Sequence, residues 1–99
     1  IEIKKGGVPL DGLVIANKKG TLEMAEGDIV FLDKGKRAGV EAGNTLTVYL
    51  SGKLKDKLIL PSEDVGRLLV LSTQEDTAMA LVIGTKKPFR IGDKVRMEN

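Results

Sequence analysis

Residues 67–83 decide the fold and read Arg67-Leu68-Leu69-Val70-Leu71-Ser72-Thr73-Gln74-Glu75-Asp76-Thr77-Ala78-Met79-Ala80-Leu81-Val82-Ile83. Two apolar runs flank the polar triplet Gln74-Glu75-Asp76, and each run is long enough to form a strand. Runs of this length on either side of a short polar connection are typical of an antiparallel hairpin. We therefore predict a hairpin with long arms, around which the rest of the chain is arranged.

Short apolar runs recur along the whole chain, which also contains twelve glycines. No window of helical length carries an uninterrupted apolar stripe with a period of 3.6 residues. The pattern predicts an all-β fold, a small SH3-like or related barrel or sandwich of about six short antiparallel strands. We treat residues 1–99 as a single β domain in which 1–11 form a lead-in or linker. The predicted strands include residues 13–16, 29–32, 46–50, 68–71, 78–83 and 95–97.

Alternation along a strand predicts which side chains lie inside the fold. The run Thr45-Leu46-Thr47-Val48-Tyr49-Leu50 alternates polar and apolar residues, so Leu46, Val48 and Leu50 should point inward. In the other runs we assign mainly large apolar residues to the core. The predicted core consists of Leu13, Ile15, Ile29, Phe31, Val48, Leu68, Val70, Met79, Leu81, Ile83 and Val95.

The composition argues against most catalytic chemistry. The chain has no cysteine and no histidine, which removes disulfides, thiolate zinc sites and the commonest general base. No loop has the alternating acidic pattern of a calcium site. Gly35 and Gly39 lead into a strand instead of a helix, so no phosphate-binding loop is predicted. We expect a non-enzymatic domain without a catalytic site, a metal or a cofactor.

The charge of the chain is nearly balanced. Sixteen basic and fourteen acidic residues give a net charge of +2, which is too small a field to indicate a nucleic-acid partner by itself. No stretch approaches the roughly 18 consecutive apolar residues of a membrane-spanning helix. We therefore expect no membrane insertion within this chain.

A short glycine-containing pattern occurs three times, as Gly27-Asp28, Gly43-Asn44 and Gly92-Asp93. Each copy lies directly before an apolar run. Glycine allows a positive φ, and a following Asp or Asn can accept hydrogen bonds from backbone amides of the turn. We interpret the three copies as structural turns that begin strands.

The connection between Asp33 and Gly43 is the most distinctive loop, because it combines glycines with three positive charges. It is wide enough to hold one short helical turn. We select Lys34, Lys36, Arg37 and Glu41 as a candidate interaction loop.

Five segments, taken in order, form a pattern that covers most of the chain: residues 28–35, 38–44, 65–71, 77–82 and 91–95. This order, which extends from about Gly12 to Met97, resembles the C-terminal β domain of bacterial LysM-containing envelope proteins. It is also distantly similar to the C-terminal domain of flagellar assembly protein T. The resemblance implies a small, barrel-like accessory domain behind a peptidoglycan-binding module, in the periplasm or cell envelope.

The resemblance also implies the kind of partner, which would be an envelope protein or the cell wall. LysM modules begin with Gly-Asp-Thr-Leu in a βααβ unit, and Gly43-Asn44-Thr45-Leu46 imitates that start. No two-helix segment follows it, so we carry over no glycan-binding residues. The implied role is packing, spacing or protein contact, with a signal peptide and a LysM repeat expected upstream of Ile1.

The alternative is a small SH3-like or KOW-like nucleic-acid-binding barrel. Residues 27–39 resemble the KOW element of ribosomal and transcription factors over thirteen positions, and several lysines fall in connections. Only Phe31, Tyr49 and Phe89 are aromatic, which leaves little surface for base stacking.

Overall fold

The computed structural model describes residues 11–50 and 62–98, together with the short strands at 54–55 and 58–59. Residues 1–10 of the predicted lead-in lie outside the described part, and Asp11 directly precedes the first strand. The described elements are β1 (Gly12–Asn17), β2 (Glu23–Met24), β3 (Ile29–Leu32), a 3₁₀ helix (Lys36–Ala38), β4 (Thr45–Leu50), β5 (Leu54–Lys55), β6 (Leu58–Ile59), β7 (Glu63–Thr73), β8 (Ala78–Thr85), β9 (Phe89–Arg90) and β10 (Lys94–Met97).

Six of these strands form a closed antiparallel barrel in the order β1-β10-β4-β7-β8-β3. The all-β prediction is confirmed, and the barrel is found in place of the sandwich. All six strands contain one of the predicted runs, and β7 and β8 form the predicted long hairpin. β2 pairs with β9, and β5 pairs with β6, in two small sheets that the sequence analysis does not predict.

The barrel interior is filled by small and medium apolar side chains. β8 contributes Ala78, Ala80 and Val82 to the interior, while the larger residues between them lie on the outside and are half-buried. A barrel of six strands is narrower than one of eight, whose interior is just filled by side chains. Alanine and valine therefore suit these inner positions. The buried apolar residues are Val14, Met24, Val30, Leu32, Val40, Leu46, Val48, Val65, Leu68, Val70, Ala78, Ala80, Val82, Phe89, Val95 and Met97.

The core prediction is right for three strands and wrong for three others. Val48, Leu68, Val70 and Val95 are buried on β4, β7 and β10, as predicted. On β1, β3 and β8 the inner and outer faces are interchanged, because these runs are apolar at every position and alternation cannot show which face is inside. The residues wrongly assigned to the core are Leu13, Ile15, Ile29, Phe31, Met79, Leu81 and Ile83, which are exposed or half-buried.

Helical structure within residues 11–50 and 62–98 is limited to the single turn Lys36–Ala38. A bilayer-spanning helix needs far more apolar length than any helix in these ranges provides.

Candidate functional site

The three glycine-containing turns share one geometry. Gly27, Gly43 and Gly92 have φ angles of 91°, 92° and 96°, in the region that favours glycine. The residue after each glycine donates its backbone N–H to the carbonyl oxygen of the residue three positions before it, at 3.0–3.1 Å. Its side-chain oxygen accepts the N–H of that same earlier residue, at 2.8–2.9 Å. Asp28, Asn44 and Asp93 thus close each turn with two hydrogen bonds, in the manner expected from the sequence.

Asp28 has one further partner. Its carboxylate accepts the N–H of Ala25 and pairs with Lys19 Nζ at 2.8 Å. The hydrogen bond from Lys19, followed by that from Ala25, lowers the pKa of Asp28 below its ordinary value. These contacts give Asp28 a structural task at the start of β3.

The candidate interaction loop is docked on the tip of the β7–β8 hairpin. The N–H groups of Lys36 and Arg37 donate to the carbonyl oxygens of Gln74 and Glu75 at 2.8 and 2.9 Å. Gly35 is buried against the same tip. A Cβ atom at position 35 would overlap the carbonyl oxygens of Gln74 and Thr77. The loop is therefore held by backbone contacts that leave room only for glycine at this position.

The charges on this loop are largely balanced by the hairpin. Arg37 Nε lies 3.5 Å from Asp76 and 4.0 Å from Glu75. Lys34 and Arg37 line one shallow groove with Asp33, Glu75 and Asp76, so the groove holds three carboxylates and two basic groups. Lys36 and Glu41 are exposed elsewhere on the loop. The arrangement is poorly suited to a polyanion, because a negatively charged polymer would face the three carboxylates of this groove.

A polar groove lies at the other end of the β7–β8 hairpin, away from its tip, where Arg67 and Glu98 form a two-pronged ion pair. Arg67 Nε donates to Glu98 Oε1 at 2.8 Å, and Arg67 Nη2 donates to Oε2 at 3.0 Å. Thr47 Oγ1 donates to the same carboxylate at 3.1 Å. The two charges neutralise each other, and these contacts of Glu98 tie the end of β10 to β4 and β7.

The Arg67–Glu98 ion pair predicts an acid-dependent loss of stability. The hydrogen bonds from Arg67 lower the pKa of Glu98 from 4.5 to about 2. A carboxylate whose pKa is lower in the folded state stabilises the fold fully above pH 4.5, and this contribution disappears as the pH falls towards 2. Because Arg67 is 58% exposed, solvent screening limits the expected contribution to about 1–2 kcal/mol.

Glu98→Gln tests this expectation, because it removes the charge and keeps the side-chain length. Urea unfolding at pH 7 and at pH 2.5 should show the wild type losing about 1–2 kcal/mol more than the variant on acidification. Equal losses in the two proteins would contradict a stabilising role for this pair.

An apolar surface surrounds β1. Leu13, Ile15, Leu22 and Ile91 are 37%, 43%, 77% and 42% exposed, and they are the large apolar side chains with the greatest exposure in the described ranges. Leu13 and Ile15 lie on β1, and Ile15 occupies the irregularity in its pairing with β3. We call these four residues the β1 patch.

Backbone hydrogen bonds bring the two distant members of the patch to this strand. Gly92, the residue after Ile91, donates its N–H to the carbonyl of Val14 at 2.7 Å. Ile91 donates its own N–H to the carbonyl of Leu22 at 3.4 Å. Leu22 and Ile91 also line one shallow groove. The turns that carry Leu22 and Ile91 therefore lie next to each other, and the second of them is bonded to β1.

The β1 patch continues onto the outer faces of β3, β8 and β7. Phe31 is paired with Ala16 on one side and with Met79 on the other. Ile29, Leu81 and Leu69 form the next row, which crosses β3, β8 and β7. All five of the large side chains in these rows are half-buried. Paired residues of an antiparallel sheet share one face, so this half of the barrel exterior is apolar.

This surface differs from the sequence prediction, although the sequence carries a signal for it. The runs at β1, β3 and β8 are continuously apolar, and such strands are typically covered on both faces. A small barrel has only one inner face, so a second apolar face has to lie outside. Assigning the large residues to the core concealed this consequence.

Acidic side chains in the described part of the chain form no cluster suited to a metal ion. No protein-family model matches the chain, and no curated protein sequence matches it.

Proposed function

We propose that this chain is a non-enzymatic interaction domain of a bacterial cell-envelope protein that also carries a peptidoglycan-binding LysM module. The observation that supports an interaction role is the apolar exterior of β1, β3, β8 and β7. Contiguous exposed apolar surface is uncommon on monomeric proteins unless it meets a partner. The envelope location rests on the resemblance to LysM-associated C-terminal domains.

The non-catalytic part of the proposal rests on the chemistry of the side chains. The chain has neither histidine nor cysteine. Among the described residues, the ionisable groups with shifted pKa values are Asp28, Arg67 and Glu98, and all three are occupied by structural hydrogen bonds and ion pairs. Arg67 and Glu98 line the polar groove, but each is engaged by the other, so neither is poised there as a general acid or base. The domain would act as a spacer or protein contact beside the wall-binding module.

The first test reads the coding sequence upstream of Ile1. The proposal expects a signal peptide and at least one LysM repeat there. A full-length protein without either feature would overturn the envelope assignment.

The second test is co-sedimentation of the purified domain with peptidoglycan sacculi, in parallel with a fluorescent RNA titration at low and physiological salt. The proposal expects no RNA affinity, and saturable, salt-resistant sedimentation would make the wall the partner in place of a protein. Salt-sensitive RNA binding that is lost on changing Lys34, Lys36 and Arg37 to glutamine would overturn the proposal. It would favour the alternative, a nucleic-acid-binding barrel.

A further inference from the structure

We propose that Met79 is a reversible oxidation site, and that its oxidation weakens the apolar exterior of β3, β8 and β7 as a binding surface. This inference rests on the proposed interaction role and adds the regulation of that surface. It is carried by the unequal surroundings of the methionine sulfurs and by the position of Met79 among apolar side chains. The chain has no cysteine, so its oxidisable sulfur atoms are those of its three methionines.

Two of the three methionines are enclosed by the fold. Met24 is 0% exposed, and its sulfur accepts a hydrogen bond from Asn17 Nδ2 at 3.0 Å. Met97 is 7% exposed and is paired with Leu46 across β10 and β4. An oxidant reaches a buried sulfur only when the surrounding structure opens, and such openings are rare in a stable core. Both sulfurs should therefore react slowly in the folded protein.

Met79 lies on the outer face of β8 and is half-buried. Its neighbours along the strand, Ala78 and Ala80, fill the barrel instead. Met79 is paired with Phe31 on one side and with Ser72 on the other, and Ser72 is small and exposed. Because paired residues share one face of the sheet, solvent reaches Met79 from the side of Ser72. Its oxidation does not require the barrel to open.

The reaction needs a peroxide and, from the protein, only the thioether. A lone pair of the sulfur attacks one oxygen of hydrogen peroxide, the O–O bond breaks and an S–O bond forms. The proton on the transferred oxygen passes to the departing hydroxide, which leaves as water. The sulfur is oxidised by two electrons to the sulfoxide, and the peroxide is reduced by two electrons. Methionine sulfoxide reductases reverse this change.

The position of Met79 decides what the sulfoxide does. It places a polar group directly beside Phe31, within the apolar rows of the exterior. A partner that covers this surface would then have to remove water from that polar group, which is unfavourable unless the partner supplies a hydrogen bond. The barrel interior keeps its packing, because the side chain lies outside it. We therefore expect a folded domain with a weaker apolar surface.

Timed oxidation of the purified chain with hydrogen peroxide tests the selectivity. Peptide mass spectrometry measures the gain of one oxygen atom at each methionine separately. Met79 should react about tenfold faster or more than Met24 and Met97. Comparable rates at the three positions, or faster oxidation of either enclosed methionine, would overturn the proposal.

A destabilised variant distinguishes a reaction of the folded protein from one that requires unfolding. Leu68→Ala removes a fully buried side chain, so opened molecules become more populated. Oxidation of Met24 should then accelerate by about tenfold or more, whereas the rate at Met79 should stay within about twofold of the wild type. Equal acceleration at both positions would show that Met79 reacts only in opened molecules, against the proposal.

Retention on a hydrophobic-interaction column measures the effect on the surface. Wild-type protein oxidised only at Met79 should elute earlier than the reduced protein and keep its circular dichroism spectrum. Methionine sulfoxide reductase should restore the original retention. Met79→Leu is the matched control, because leucine is apolar and is not oxidised, so its retention should not change after the same treatment. Unchanged retention of the oxidised wild type, or loss of its fold, would refute the regulatory role.

These outcomes are distinguishable from failure of the proposed function. An upstream sequence without a signal peptide or LysM repeat would overturn the envelope location and leave the oxidation rates and the column retention unaffected. Slow oxidation of Met79 would overturn the regulation alone, and the interaction role would still depend on the upstream sequence and the sacculus experiment.

Discussion

Truncating Leu68 to alanine is expected to lower the free energy of unfolding by about 3 kcal/mol. Leu68 is fully buried in the barrel, where it is paired with Leu46 on β4 and with Val82 on β8. Removing its side chain both loses transfer free energy and leaves a cavity that rigid neighbouring strands cannot close. A domain of this size has a total stability of only about 5–10 kcal/mol, so the loss is a large fraction of the total.

The adjacent residue provides a matched control for this experiment. Leu69 has the same side chain on the same strand but lies on the outer face and is half-buried. Leu69→Ala should therefore cost about 1 kcal/mol, because less surface is exposed and no internal cavity forms. Urea unfolding of both variants measures the difference. Equal losses at positions 68 and 69 would show that the inner and outer faces of β7 are wrongly assigned.

Gly35→Ala is expected to destabilise the domain by about 3 kcal/mol, for a steric reason. Its φ is −142°, outside the positive region that favours glycine, so the expected cost comes from the lack of space. The added methyl group would instead overlap the carbonyl oxygens of Gln74 and Thr77, which belong to the backbone of the β7–β8 hairpin. Either the hairpin tip or the loop has to move, and the hydrogen bonds between them would lengthen.

Gly84→Ala is the control for this substitution. No heavy atom lies within 4 Å of a Cβ built at Gly84, so the expected change is within about 0.5 kcal/mol. Thermal unfolding should separate the two variants clearly. A Gly35→Ala protein that melts with the wild type would mean that the loop does not rest on the hairpin as described.

Local patterns predict much of this structure. The three turns depend on residues within four positions of one another, so the sequence shows both the glycine and the Asp or Asn that closes the turn. The 3₁₀ turn at Lys36–Ala38 lies inside the loop that the glycines mark. In β4 the alternation of threonine with Leu46 and Val48 identifies two core residues correctly, but Thr45 and Thr47 on the other face are also buried.

Contacts between distant residues explain most of what the sequence does not predict. Arg67 and Glu98 are 31 positions apart, and nothing local marks them as partners. The β1 patch takes residues from β1 and from the turns at Leu22 and Ile91, and these segments are joined by backbone hydrogen bonds such as that from Gly92 to Val14. Continuous apolar strands such as Ile29–Leu32 contain no alternation, so their inward face is decided by barrel closure.

Barrel closure has a consequence for the chain during synthesis. Gly12 is paired with Val95, so the strand that completes the barrel is the last of its six strands to be synthesised. Until β10 emerges, β1 and β4 each keep one edge of unpaired N–H and C=O groups, and such edges promote pairing with other chains. The nascent domain therefore passes through an open sheet that stays vulnerable to aggregation until its final strand has been translated.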